Sequence, residues 1–492
     1  MPAKVARADK TSGIPISAHS PVAYWGRWLG HELGPLLRQY IIADDEDERP
    51  FTRTQGHWIE SSAHGKNNVT GFGSQYRVDE QGALIFTPKT FTNEVDDITD
   101  VVGSGIRRII GGRGGVMPVA MEHPLYTSAM SFGSLSAPAI EEIGRGAAKA
   151  GIWQNTREGG VLPYHLKGGA NLIWQMGTAK FGVRNPDGSL NDDLAREVAA
   201  HENVKLIELK LSQGAKPGKG GILPGAKVTK EIAEIRKVTE GEDVLSPARH
   251  REFSDVEGLF DFIDHLREVS GLPVGIKTAI GTPAEIESIA LLMQKDPDRG
   301  PDFITVDGGE GGSGAAPEVL ISHAGLPLRQ ALAVVNETLV RNGVREDVTV
   351  FASGKLVEPA NAALALGADA VGTARGMLIA LGCIQSMRCH TDTCPTGIAT
   401  QNKRLAAVID VEAGAERVAR YSETLQHELE ILARSCGHDD PSQFGSTSAN
   451  RLANRSAAVI RSLFRRLRAA RRNESDGADD REHSPRHLHA VP

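Results

Sequence analysis

From about residue 120 onward, short apolar runs ending in glycine or polar residues alternate with segments of helical periodicity. The runs span 126–130, 151–155, 206–211, 274–278, 303–307, 348–352 and 370–373, with a weaker eighth near 172–181. Helix-like segments lie between them, among them 138–150, 255–269, 283–293 and 358–366. Strand alternating with helix implies parallel βαβ units, and eight such units close most naturally into a (β/α)8 TIM barrel, an α/β fold. An open doubly wound sheet is the alternative. It is disfavoured because no G-x-G-x-x-G with a following acidic residue opens the first unit.

Outside residues 119–405 the pattern changes. The first 118 residues read as an irregular extension packed on the barrel, with a short helical stretch at 35–40, a polar run at 44–48 and aromatic-plus-glycine turns at 69–74. Residues 406–472 read as a helical extension with helices at 417–434 and 451–472, the second rich in arginine. The charged, His-rich stretch 473–492 is expected to be disordered.

Hydrophobic residues make up 40% and charged residues 24%, values of an ordinary globular protein. A net charge of −7 argues against general nucleic-acid binding. There is no apolar run of membrane-spanning length, no signal-peptide pattern and only four cysteines, so a reducing, cytoplasmic setting is expected.

The chemistry concentrates after the strands, where barrel enzymes place it. Ala352-Ser-Gly-Lys355 follows the seventh strand and Gly372-Thr-Ala-Arg-Gly376 the eighth, so Gly354, Gly372 and Thr373 stand where barrels commonly bind phosphate through backbone N–H groups. The sixth-strand loop, Asp307-Gly-Gly-Glu-Gly-Gly-Ser-Gly-Ala-Ala-Pro317, adds Gly308, Gly309 and Gly312. Early in the barrel, Ser128, Ala129, Met130 and Ser131 offer small side chains and amides to a flat ring, and Asn155 adds a polar group. Flavin mononucleotide, a flat tricycle with one phosphate, satisfies both demands. Ordinary turn chemistry is the competing reading.

The densest polar loop follows the fourth strand and carries Lys210, Gln213 and Lys216. Two cations and an amide suit a dicarboxylate or an oxo-acid. Lys277, ending the fifth strand, suits the electron-rich edge of a reduced flavin. Cys383, Cys389 and Cys394 form a C-x5-C-x4-C cluster closed by Pro395, a spacing that suits an iron–sulfur centre rather than a zinc finger. Three incidental cysteines are the alternative.

Several stretches are highly specific: Ser128 to Ser134, Gln213-Gly-Ala-Lys-Pro-Gly218 with Leu223-Pro-Gly225, Ser246-Pro-Ala-Arg-His250, Asp307 to Pro317, and Cys383 to Gln401 ending Cys-Pro-Thr-Gly-Ile-Ala-Thr-Gln. Across residues 51–402 the chain resembles the FMN-binding synthase domain of glutamate synthase, most closely its stand-alone forms. The resemblance implies a barrel holding FMN and a [3Fe-4S] cluster, in which 2-oxoglutarate and ammonia form 2-iminoglutarate that the reduced flavin converts to L-glutamate. It assigns Cys383, Cys389 and Cys394 to the cluster, and Lys277, Gly354, Gly372 and Thr373 to FMN. It assigns Gln213 and Lys216 to the substrate carboxylates, with Lys210 and His250 beside them.

No cysteine precedes Cys383, so this chain is expected to take ammonia from solution or from a separate amidotransferase subunit rather than from glutamine. Its electron donor would be ferredoxin or an NAD(P)H-dependent flavoprotein subunit. A flavin enzyme of the same fold with a different oxo-acid or amine substrate, or a non-catalytic electron-transfer subunit, fits the same residues.

Overall fold

The apolar runs become eight parallel strands: β1 (Leu125–Thr127), β2 (Trp153–Asn155), β3 (Leu172–Met176), β4 (Val204–Lys210), β5 (Val274–Thr278), β6 (Phe303–Asp307), β7 (Thr349–Ser353) and β8 (Ala370–Thr373). Each pairs with its neighbours in chain order and β8 pairs with β1, so the sheet closes into a barrel. The computed structural model describes residues 50–66, 86, 88–90, 108–314, 316–359, 361–362, 367–438, 441 and 444. The segments expected at 35–40, 44–48, 69–74, 451–472 and 473–492 lie outside these residues, as does most of the helix expected at 358–366.

β2, β3, β5, β6 and β8 are buried at every position. Near-continuous apolar runs suit strands covered on both faces by βα crossovers. Inside the barrel, Tyr126, Trp153, Ile173, Leu206, Phe303, Phe351 and Ala370 form an apolar plug, with Phe303 stacked on Phe351 at 4.9 Å between ring centroids. Ile110 and Met121 join the plug from an antiparallel ribbon, Arg108–Ile110 against Val119–Met121. Polar side chains therefore gather at the other end, where the strands finish.

The helices of the described residues include α1 (Arg53–Ala63), α2 (Ala137–Lys149), α3 (Val256–Ser270), α4 (Pro283–Lys295), α5 (Leu328–Arg341), α6 (Arg375–Ala380) and α7 (Val411–Ser435). Sequence periodicity placed α2, α3 and α4 within a few residues of these bounds. α7 is longer than the expected 417–434. Asp410 caps it by accepting from the Ala413 N–H at 3.2 Å, and Gly414 in its first turn gives no apolar signal but fits against buried Glu142. Gly146 on α2 allows the close helix crossing, because a Cβ there would stand 2.5 Å from the Val418 side chain.

Among the described residues, no helix is long and apolar enough to cross a membrane.

Candidate functional site

At the carboxyl ends of the strands a partly open, mostly polar cleft is formed. β4 ends in Lys210 and β5 carries Lys277, and the two pair in register, so both reach the cleft from adjacent strands. Neither lysine is left uncompensated. Lys210 Nζ lies 3.1 Å from Glu158 Oε1 and donates to Gln213 Oε1 at 3.1 Å. Lys277 Nζ lies 3.4 Å from Asp307 Oδ1, while Asp307 Oδ2 accepts from the Gly214 N–H at 2.7 Å.

Glu158 is the electrostatic centre of this wall. Burial would raise its carboxyl, but Lys210, Arg157 and Lys216 together bring it down to about 2. Burial pushes Lys216 down to about 8, with Arg157 and Lys210 adding to the effect. Lys216 is fully buried and donates to the Gly220 carbonyl at 3.3 Å, so it braces the loop after β4 from beneath rather than lining the cleft.

Deeper in the barrel, buried Glu208 accepts from Asn155 Nδ2 at 2.8 Å, Gln175 Nε2 at 2.6 Å and Thr305 Oγ1 at 2.5 Å. Asn155 is thus committed to Glu208. The same network fixes Gln175, whose Oε1 is buried at the cleft without a partner. A buried acceptor of this kind is costly unless a ligand or water donates to it.

The loops after β7 and β8 bring Lys355 and Arg375 to the cleft. Burial lowers Arg375 to about 10, although Asp307 and Glu310 act to raise it. Lys355 is lowered by burial and then by Arg375 itself. Two neighbouring cations, one of them lowered by the other, favour an anion between them. Gly354, at φ 144°, and Gly372, where a Cβ would fall 2.5 Å from the Tyr126 ring, keep the backbone there bare. Ser128 Oγ and Ser353 Oγ bond at 2.7 Å across the same floor.

Of the residues singled out in the sequence, Ser128, Ala129, Lys210, Gln213, Lys277, Gly312, Gly354, Gly372 and Thr373 line the cleft. Met130, Ser131, Asn155, Gly308, Gly309, Lys216 and His250 do not. Gly308 and Gly309 spend their N–H groups on the Ser353 and Leu326 carbonyls, both at 2.8 Å. His250 is 2% exposed, donates from Nε2 to the Lys210 carbonyl at 2.9 Å and stacks on Phe253, and burial holds it down at about 4. It supports the end of β4 as a neutral ring.

Arg157, Glu158, Gln175, Asp307, Lys355 and Arg375 were not singled out as site residues. Lys355 and Arg375 stood inside the glycine motifs, where a cation next to each glycine was the available signal. The pairing of Glu158 with Lys210 joins positions 52 residues apart in the chain and left none.

The cysteine segment is docked beside the barrel mouth. Buried Lys227 donates to the Cys389, Ser134 and Ala399 carbonyls at 2.9, 3.0 and 2.9 Å. Cys394 is buried and Cys389 exposed, and neither is in a disulfide. Among the described residues, no three His, Cys, Asp or Glu side chains are grouped so as to hold a metal ion. As placed, the three thiols are not grouped to hold a cluster. For FMN the residues do fit: two cations and bare glycine backbone stand at one end, and the orphaned Gln175 acceptor lines the same cleft.

A polar cleft at the carboxyl ends of a closed eight-stranded barrel defines a barrel enzyme site. The conserved region of glutamate synthase matches residues 107–439. The glutamate synthase large subunit-like protein YerD of Bacillus subtilis is 38% identical over 471 residues, covering 89% of each chain. The archaeal glutamate synthase [NADPH] of Methanocaldococcus jannaschii is 35% identical over 321 residues, 64% of this chain and 59% of that protein. The flavin-binding domain of baker's yeast flavocytochrome b2 overlaps 87% of this chain and 85% of its own at 15% identity and a TM-score of 0.46. The chain belongs to the glutamate synthase family and is an oxidoreductase.

Proposed function

We propose that the protein is an FMN-dependent, glutamate synthase-type enzyme that reductively aminates 2-oxoglutarate, or a closely related oxo-acid, to the amino acid. The carrying observation is the division of one cleft into two ends. Lys355, Arg375, Gly354 and Gly372 form an anion-binding end after β7 and β8. Lys210, Gln213, Arg157 and Lys277 form a cationic wall on the other strands. The names of the curated relatives support the same reading.

FMN, when bound, supplies the hydride. Lys355 and Arg375 would hold its phosphate, and Gln175 Oε1 would take a hydrogen bond from its ring. Lys210 and Arg157 would bind the carboxylates of the oxo-acid, with Gln213 tied to Lys210 so that its amide is oriented. Asp307 fixes Lys277 in the wall and, through the Gly214 N–H, fixes the loop that covers the substrate. Oxo-acid and ammonia condense with loss of water, and hydride plus a proton reduces the imine. Ammonia comes from solution or a separate amidotransferase, and electrons from ferredoxin or an NAD(P)H-dependent flavoprotein.

A [3Fe-4S] cluster on Cys383, Cys389 and Cys394 belongs to the same proposal. It requires the cysteine loop to close further than it does here. What supports it is the ligand spacing, together with three left-handed non-glycine residues in that loop: Gln385, Met387 and Asp392. Iron and acid-labile sulfide should be present in anaerobically purified protein and absent from Cys389→Ser, and full retention in the variant contradicts the assignment.

The flavin reading is tested by extracting the cofactor and titrating the oxidised protein with 2-oxoglutarate. Stoichiometric FMN and a saturable change in the flavin spectrum are expected. Protein without flavin after incubation with FMN would overturn the proposal.

A further inference from the structure

The segment before α1 reaches the cleft from outside the matched family region, which begins at residue 107. Phe51 is 3% exposed and lines the anion-binding end. The Arg375 guanidinium carbon lies 4.7 Å from the centre of its ring, and Lys355 Nζ lies 5.7 Å from it. These are the two cations that follow β8 and β7.

Local structure holds the ring in place. Thr52 caps α1 in a reciprocal box with Gln55, which sets the direction of the chain at Phe51. Gln55 Nε2 also donates to Glu358 Oε2 at 3.3 Å, tying the start of α1 to the segment after β7. One turn on, Trp58 meets Tyr421 of α7 edge-on at 5.9 Å, and Tyr421 donates its hydroxyl to the Val357 carbonyl at 2.9 Å.

We propose that Phe51 is a positioning residue for the phosphate end of the cleft. Its ring holds Lys355 and Arg375 side by side so that both meet one anion. The inference rests on the flavin reading given above. Two like charges repel, and one aromatic ring within reach of both offsets part of that repulsion. The ring also excludes water, which strengthens the pull of the cations on an anion.

The test uses the full chain, stripped of flavin and titrated with FMN and with riboflavin, which lacks the phosphate. Phe51→Leu keeps an apolar side chain and removes the ring face. It should weaken FMN binding about three- to tenfold, leave riboflavin binding unchanged and leave the unfolding midpoint near that of wild type. In a chain already carrying Lys355→Gln and Arg375→Gln, Phe51→Leu should have no further effect on FMN. Unchanged FMN affinity in Phe51→Leu, or equal losses for FMN and riboflavin, would overturn the role given to Phe51 while leaving the flavin reading intact. Wild-type protein that binds neither flavin would overturn the flavin reading, and this inference with it.

Discussion

Asp307 ends β6 and divides its carboxylate between two tasks, with Oδ1 3.4 Å from Lys277 Nζ on β5 and Oδ2 accepting the Gly214 N–H at 2.7 Å. One side chain therefore couples the cationic wall to the loop after β4. Asp307→Asn keeps an acceptor for Gly214 and loses the charge facing Lys277. Turnover should fall by about tenfold or more, since a buried charge then loses its partner, while flavin content stays the same. Asp307→Ala also strands the Gly214 N–H, at a cost of about 1–3 kcal/mol, and limited proteolysis should then cut within 213–225. Equal protease resistance in both variants would show that the loop does not depend on this bond.

Lys210 and Glu158 make the complementary case. Both are nearly buried, and removing Lys210 takes from Glu158 its ion-pair partner while Arg157 and Lys216 still act on it. Lys210→Met should lower stability by about 1–3 kcal/mol, and adding Glu158→Gln should restore most of it. Oxo-acid affinity should not return in the double variant, because the cation is still missing. Denaturant unfolding and substrate titration separate the two outcomes.

Acid stability follows from two buried imidazoles. His165 and His250 are each lowered by burial from 6.5 to about 4. Their contribution is complete above the unfolded value and is lost as pH falls from 6.5 through about 4, because the unfolded chain takes up protons that the folded chain refuses. Together the two should contribute a slope approaching two protons in that window, about 2.7 kcal/mol per pH unit. His250→Gln should reduce the slope by one proton, and an unchanged slope would show that His250 already titrates normally in the folded state.

Lys355 and Arg375 carry a salt-dependent prediction. Replacing either with glutamine should weaken FMN about tenfold and flatten the dependence of FMN affinity on ionic strength, with riboflavin binding unaffected. Losses shared by both flavins would move the phosphate elsewhere in the cleft.

The barrel was legible because its strands are apolar runs broken by glycine, and all eight fall where the alternation put them, the weak one at 172–181 included. That Gly354 and Gly372 line the cleft was legible, since bare backbone after the last two strands has a local sequence signature. What stayed hidden was set by distance along the chain. Asn155 ends β2 and His250 lies in the loop before α3, and both are polar as site residues are, but Glu208 and the Lys210 carbonyl engage them. Phe51 meets Arg375 across 324 positions, and no local pattern announces such a contact.

Reduction, in this cleft, of an imine formed from an oxo-acid and ammonia is the proposed reaction. The most direct measurement is a single anaerobic turnover, in which chemically reduced protein is mixed with 2-oxoglutarate and isotope-labelled ammonium and followed by flavin absorbance and product mass. Reoxidation of the flavin is expected only when both substrates are present, with about one labelled glutamate formed per flavin, since one two-electron carrier reduces one imine. A flavin that stays reduced with both substrates, or that reoxidises without labelled glutamate, would contradict it.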